Sequence, residues 1–440
     1  ELAKLVQSQP DDKKLIEEIY YRVLNRSPKP GEIEAALASM AEIDGDHQEL
    51  VKNLAQAEAD WVGKKSELEI ARIQRINKAK ADVEAYMPEY QKKKAAAEAD
   101  RNKRIAEAKK AMDARAAELP KLTDEFTKNV KADQFWTKWN LLPVTAVTAS
   151  DKSEVKVQPD GSVRSMVGYK KRNLDYLITS NTKVQNITGI LIESVPDLEF
   201  GAGPGLNPNG NFVISEVQSR WNTIADPKKN MPLAFADAKA TFNQQGFNVK
   251  NSINGKVDRG QKGWALAGAD YKIPHRAIFK FKEPFKGDPK GAQLIVGVLC
   301  RYSGGEYPIG RFRVYYTTDA DPMNFGLPAN IATAVQTAPA ARTDAQKKAL
   351  AAYVAENDAD LMGKKFAHQT AQKPVPADPE MNRLNGAITL AERPIKEDSR
   401  LLQLRQDMSY SVQQAANRRL TTAQDLAWAL INSPSFLFNR

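Results

Sequence analysis

The 440-residue chain has one cysteine and three histidines. A single cysteine excludes an internal disulfide framework, a cysteine-based zinc site, an iron–sulfur cluster and a haem attached through CxxCH. Three scattered histidines exclude most histidine-rich metal centres. No apolar run approaches the roughly 18 residues that a membrane-spanning helix needs. Neither Gly-x-Ser-x-Gly nor His-Glu-x-x-His occurs, so a serine-hydrolase elbow and a zinc-protease helix are both missing. The 64 Lys and Arg exceed the 54 Asp and Glu, giving a net charge of +10. That excess is spread along the chain and mixed with acidic residues, unlike the basic blocks of a nucleic-acid binder.

What is present is a texture that changes along the chain. Leu15, Ile16, Ile19, Tyr20, Val23 and Leu24 fall at helical spacing before a break at residues 27–31. Ile33, Ala36, Leu37 and Met40 then mark a second short helix. From about residue 54 the composition shifts to Ala, Lys, Glu and Arg, the signature of long solvated helices. Leu68, Ile70, Ile73, Ile76, Val83 and Met87 make one narrow stripe, and Ile105, Ala108, Met112, Ala116 and Leu119 make another. Pro88 lies between them, so the spacing predicts an antiparallel helical hairpin bent there, with one long kinked helix as the alternative. Few aromatics interrupt the arm, which leaves no stacking platform for bases. Its stripe has the form of a coiled-coil seam completed by a protein partner or a second copy, with Ile70, Ile73, Ile76 and Ile105 at the contact.

Between about residues 135 and 319, β-branched and aromatic residues alternate and turn signals recur, as in an all-β sandwich. Residues 294–300 form a continuous apolar run ending at Cys300, which reads as a buried strand with a structural thiol. Helical patterns return beyond residue 321, separated by a proline-rich linker at residues 374–379. The expectation is an α+β multidomain chain. Residues 1–53 supply N-terminal helices, 54–120 a helical hairpin or coiled-coil arm, and 121–320 a β-sandwich. Residues 321–440 supply C-terminal helices that complete one helical unit with the first. Trp428, Leu430, Phe436 and Phe438 are expected to pack on Ile16, Ile19, Tyr20 and Val23, since neither apolar face can be buried alone.

Two stretches carry candidate chemistry. Residues 200–212 (FGAGPGLNPNGNF) superficially resemble a phosphate loop, but no Lys-Ser/Thr pair and no helix follows. Asp197, Glu199, Asn207, Asn209 and Asn211 offer oxygen ligands suited to Ca2+; the competing reading is a rigid loop whose Asn and Asp side chains satisfy their own backbone. Trp264, Tyr271 and His275 form one aromatic and polar group, and Arg301, Tyr307 and Arg311 a second. Aromatics beside arginine at the rim of a sandwich suit the stacking and hydrogen bonding of a sugar; the competing reading puts Trp264 in the core and the arginines on the surface. Asp197 and Glu199 lie two apart, facing one way on a strand, which is the weak form of a glycosidase carboxylate pair. No convergent acid, base and nucleophile is evident, so no catalytic residue is assigned.

Residues 19–32 (IYYRVLNRSPKPGE) and 417–439 (NRRLTTAQDLAWALINSPSFLFN) carry a resemblance. They resemble the C-terminal part of large secreted planctomycete proteins that join a cytochrome-c-like domain to the paired domains of unknown function 1549 and 1553. Asp160-Gly161-Ser162-Val163, Gly203-Pro204-Gly205, residues 209–216, Gly263-Trp264-Ala265, residues 275–279 and residues 310–313 resemble that family's inserted sandwich, which is similar to galactose-binding or jelly-roll-like carbohydrate-binding modules. The resemblance implies export to the periplasm or cell surface. It places haem in an upstream domain or a partner, not in these residues. The expectation for the chain is a non-catalytic, extracytoplasmic binding or scaffold module, its helical arm and sandwich mediating assembly with partner proteins or attachment to polysaccharide. The alternatives are an accessory docking domain of a cytochrome-type redox complex and a glycan-active hydrolase.

Overall fold

The computed structural model describes residues 1–437 other than Trp136, Ala202, Asp258 and Arg259. The chain opens with helices α1 (Leu2–Ser8), α2 (Asp12–Leu24), α3 (Pro30–Ala117) and α4 (Leu119–Asn129). Strands follow: β1 (Lys138–Leu141), β2 (Ala146–Ala149), β3 (Val155–Val157), β4 (Val163–Ser165), β5 (Leu174–Thr182), β6 (Ile187–Ser194), β7 (Val213–Ile214) and β8 (Glu216–Thr223). Next come β9 (Asp226–Pro232), β10 (Phe235–Ala240), β11 (Trp264–Ala265), β12 (His275–Phe285), β13 (Ala292–Cys300), β14 (Arg311–Thr317) and β15 (Leu327–Pro328). The chain closes with α5 (Ala329–Gln336), α6 (Asp344–Asn357), α7 (Ala359–Ala371), α8 (Pro379–Ala391), α9 (Ser399–Ala416), α10 (Arg418–Ile431) and α11 (Pro434–Leu437). The fold is α+β, and it divides into two compact units: residues 1–94 with 376–440, and residues 95–375.

The first unit is helical and built from both chain ends. Leu15, Ile16, Ile19, Tyr20 and Leu24 of α2 share a core with Ala423, Ala427 and Leu430 of α10. Arg419 ties the same ends together, reaching Asp12 at 2.6 Å and the carbonyl oxygens of Val6 and Gln9. Of the four C-terminal residues expected at this contact, Leu430 is buried in it. Trp428 instead points outward at 70% exposure, Phe436 is exposed, and Phe438 lies outside the described residues. Leu430 falls on the α10 stripe with Ala423 and Ala427, and Trp428, two positions before Leu430, falls on the opposite side of the helix.

The helical hairpin is corrected: α3 is one helix of 88 residues with Pro88 inside it. A proline removes one backbone hydrogen bond and crowds a carbonyl, but the Ala-, Lys- and Glu-rich flanks favour helix strongly enough to continue. The second short helix expected at residues 32–40 is the first part of the same element. Within this unit α3 runs beside α9 and α8. His47 Nδ1 lies 2.9 Å from Ser411 Oγ, Lys64 pairs with Asp398 at 3.2 Å, Arg72 donates to the Glu392 carbonyl at 3.1 Å, and the Tyr86 hydroxyl donates to Asp378 at 3.2 Å. The chain's own helices therefore lie along the stripe assigned to a partner. Ile76 sits half-buried on it, whereas Ile70 and Ile73 are 57% and 48% exposed.

The second unit holds the β strands, the end of α3, and helices α4 to α7. Arg101 of α3 donates to the Lys373 carbonyl at 2.8 Å and Arg115 pairs with Asp358 at 2.6 Å; Ile105 is half-buried. Residues 329–371 thus join the β strands in this unit rather than the helical unit, a different division from the one expected at residue 321. Leu327, Ile331, Ala332, Ala334 and Leu350 form their own core, against which Phe126 of α4 and Val130 just beyond its end pack. One β-sheet has the order β10-β12-β6-β14-β1-β15, with β4 paired to β14 and β3 to β4. A second has the order β2-β5-β13-β8-β9, and β11 pairs with β7 in a two-stranded third. Alternation decides which side chains meet between the first two. Ile190, Ile192, Ala277, Phe279, Phe312 and Val314 of the first sheet share a core with Tyr176, Ile178, Val217, Leu294, Val296 and Val298 of the second. Cys300 ends β13 in that core, where burial pushes its thiol up to about 12.

Candidate functional site

The alternation that buries Phe312 and Val314 turns Arg311, Arg313 and Tyr315 to the opposite face of β14. On β6 it likewise turns Leu191 and Glu193 outward, and on β12 Arg276 and Ile278. The register places Arg276 opposite Glu193, and Glu193 opposite Arg313. The result is a row of cation, carboxylate and cation across three strands. Beside it runs an apolar row in which Leu191, Ile278 and Tyr315 pack with Trp139.

Each member of the charged row is satisfied. Glu193 is 2% exposed; it accepts from Arg276 Nε at 2.8 Å, Arg313 Nη1 at 3.0 Å and the Tyr315 hydroxyl at 3.1 Å. Arg313, at 7% exposure, also pairs with both carboxylate oxygens of Glu356 on α6 at 2.9 Å, and with Asp160. Arg276 Nη2 donates to the Tyr353 hydroxyl at 3.1 Å. The turn after β3 presents Asp160. Gly161 takes φ +77°, and Ser162 donates from both its amide and its hydroxyl to Asp160 Oδ1. Asp160 also receives Arg311 Nη2 at 2.8 Å.

Burial alone would raise the Glu193 carboxyl, but Arg276 and Arg313 outweigh it and hold the pKa below the ordinary glutamate value. Asp160 behaves alike: burial raises it, while Arg313, Ser162 and Arg311 bring it well below the usual range. Burial and the neighbouring Glu193 charge raise the Tyr315 hydroxyl. The carboxyl that burial does lift, Glu216 at about 7, belongs to β8 of the other sheet and does not line this site.

Above the row, α5, α6 and α7 leave a cleft of about 750 Å³. Its charged lining among the described residues is Asp160, Glu193 and Glu356 against Arg311, Arg313 and Lys365, three of each sign. Asn140, Asn330 and Tyr353 add neutral polar groups.

Of the six ligand-binding candidates read from sequence, Arg311 alone lines this cleft. Trp264 is fully buried, edge-on to Phe212 at 5.1 Å, with its indole N–H donated to the Phe242 carbonyl. Tyr271 packs at the margin of the sandwich core. His275 Nε2 lies 3.0 Å from the Asp270 carbonyl, and burial lowers its pKa. Arg301 is paired with Asp175 at 2.9 Å, and the Tyr307 ring stands 6.1 Å from that of Tyr302.

In the Gly/Asn loop, Arg164 reaches Asp197 at 2.7 Å and Glu199 at 2.6 Å, so the two carboxylates share one guanidinium. Asn207 Oδ1 accepts from the Asn209 amide, Asn209 Oδ1 from the Asn211 amide, and Asn211 Oδ1 from the Leu266 amide. Gly205 permits the packing: a Cβ there would meet the Asn211 carbonyl oxygen at 1.9 Å. These oxygens are spent within the chain. Among the described residues no group of three or more His, Cys, Asp or Glu is placed to hold a metal.

Sequence reasoning missed Glu193, Asp160, Glu356 and Tyr353 as site residues. Glu193 carried a usable signal. It follows Gly189-Ile190-Leu191-Ile192, and a lone carboxylate in a buried strand requires cations across the sheet. No protein-family model and no curated protein matches this chain.

Proposed function

We propose that this chain is a non-catalytic, extracytoplasmic carbohydrate-binding module whose cleft between β14 and α5 to α7 takes a neutral, polyhydroxylated ligand. One observation carries the reading: the cleft mixes apolar walls with polar groups whose charges balance, and its arginines already have carboxylate partners. Such a lining gains little from an ion and much from hydroxyl groups, which both donate and accept. The volume of about 750 Å³ lies in the range typical of ligand pockets, about 300–1,000 Å³. A glycan hydrolase needs a carboxyl held protonated near neutrality, whereas Asp160 and Glu193 are shifted the other way. The resemblance to exported planctomycete proteins with galactose-binding or jelly-roll-like insertions supports the ligand class and the location. A scaffold role would rest on the exposed Ile70 and Ile73, because helices of the same chain lie along the rest of the stripe.

Calorimetric titration with a panel of neutral hexose oligosaccharides tests the reading. Saturable binding is expected, and Asn330→Ala and Tyr353→Phe should each weaken it about tenfold, one lost hydrogen bond apiece. Failure of every neutral sugar to bind, or binding unchanged in both variants, would overturn it.

A further inference from the structure

The second sheet carries an arginine with no counter-ion. Arg164, Arg172, Arg276, Arg301, Arg311 and Arg313 of the β region each pair with a carboxylate. Arg220 on β8 pairs with none among the described residues, and its Nε is sealed from solvent without a hydrogen-bond partner. The residue as a whole is half-buried, so its charge reaches the outer face without a carboxylate to pair with and is open to an anionic partner.

Its surroundings form a receptacle. Val217 and Trp221 of β8 pack into the sandwich core, so alternation turns Gln218, Arg220 and Asn222 to the outer face. Arg220 stands opposite Ile295 on β13 and Pro232 on β9. A pocket of about 220 Å³ opens there, lined by Gln218, Ser219, Arg220 and Asn230, with Ile295 and Pro232 as apolar walls. Among the described residues no carboxylate lines it. Asn222 Nδ2 donates to Asn230 Oδ1 at 3.4 Å, which leaves the Asn230 amide nitrogen as a donor for the pocket. Lys228 and Lys229, exposed on the same edge strand β9 and unpaired among the described residues, add positive charge nearby.

We infer that this pocket is an oxyanion site, in which the Arg220 guanidinium, with the Gln218 and Asn230 amides beside it, binds a carboxylate or a tetrahedral sulfate or phosphate group carried by a small ligand. The guanidinium fork matches both shapes, and the apolar walls raise the strength of the pairing by limiting water. The site lies on the sheet that does not line the sugar cleft, so it stands or falls independently of that reading.

The test is titration of the 440-residue chain with sodium sulfate, sodium phosphate and sodium acetate, each against sodium chloride at matched ionic strength. The readouts are the NMR signal of the Arg220 Nε–H group and calorimetry. A saturable shift with at least one oxyanion and none with chloride is expected. Sulfate and phosphate acting without acetate would identify a tetrahedral group, and acetate acting alone a carboxylate. Arg220→Gln should weaken binding about 10- to 100-fold, and Arg220→Lys, which keeps the charge but loses the fork, by less. Asn330→Ala in the sugar cleft should leave oxyanion binding unchanged. No saturable shift with any oxyanion, or equal binding by wild type and a folded Arg220→Gln or Arg220→Lys variant, would overturn the site.

Discussion

Glu193 shows how one side chain can fix a whole surface. It neutralises two arginines on neighbouring strands and orients the Tyr315 hydroxyl. Glu193→Ala would leave Arg276 buried without a carboxylate, while Arg313 keeps Glu356 and Asp160, and should cost the β unit about 3–5 kcal/mol in urea unfolding. The pKa of Glu193 is lower folded than unfolded, so its contribution is fully present above the ordinary glutamate range and is lost as pH falls below it. The acid limb of the stability profile should therefore be shallower in the variant, and an identical limb would remove Glu193 from the network. Of the site's arginines, Arg311 was read from sequence beside an aromatic. Their partners were not, because Glu193, Asp160 and Glu356 lie 120, 153 and 43 positions from Arg313. Spacing along the chain reports local faces and says nothing of register between distant strands.

Elements were read best where a local pattern decided them. The run ending at Cys300 formed the buried strand its pattern requires, and local chemistry equally decides the turn at Asp160-Gly161 and the capping box of Thr343 and Gln346 on α6. Pro88 misled, because a single breaker was set against 88 residues of sustained helical composition. A repeat also went unread: Asp358, Asp378 and Asp398, spaced 20 residues apart, cap α7, α8 and α9, and Leu361, Met381 and Leu401 are buried three residues after each. Asp358 makes the two roles of the cap separable. It accepts from the Leu361 amide at 2.6 Å and also pairs with Arg115. Asp358→Ala should cost about 1–2 kcal/mol, and Asp358→Asn clearly less, since asparagine caps as well as aspartate. Equal losses in chemical denaturation would assign the effect to the ion pair alone.

At the scale of the molecule, two units with separate cores should unfold as two events. The α10 residues Ala423, Ala427 and Leu430 complete the core of the helical unit. Deleting residues 418–440 should abolish or sharply lower that unit's calorimetric transition and leave the transition of the β unit in place, because several apolar side chains lose their burial together. Two unchanged transitions would show that α10 is dispensable to that core. The joining of the two chain ends was legible, since both segments are apolar on one face and short of a partner. The placement of residues 329–371 with the β strands was not, because an amphipathic helix does not announce which neighbour will cover it. The capped repeat has a consequence for inheritance. Asp378 and Asp398 meet α3 at Tyr86 and Lys64, which are 22 residues or about 33 Å of helix apart. An in-frame loss of one 20-residue segment would slide every later contact along α3 by that distance. Deletions and duplications here should therefore be tolerated best as matched pairs, one in α3 and one in the capped repeat, so that a lineage that changes one length is pressed to change the other.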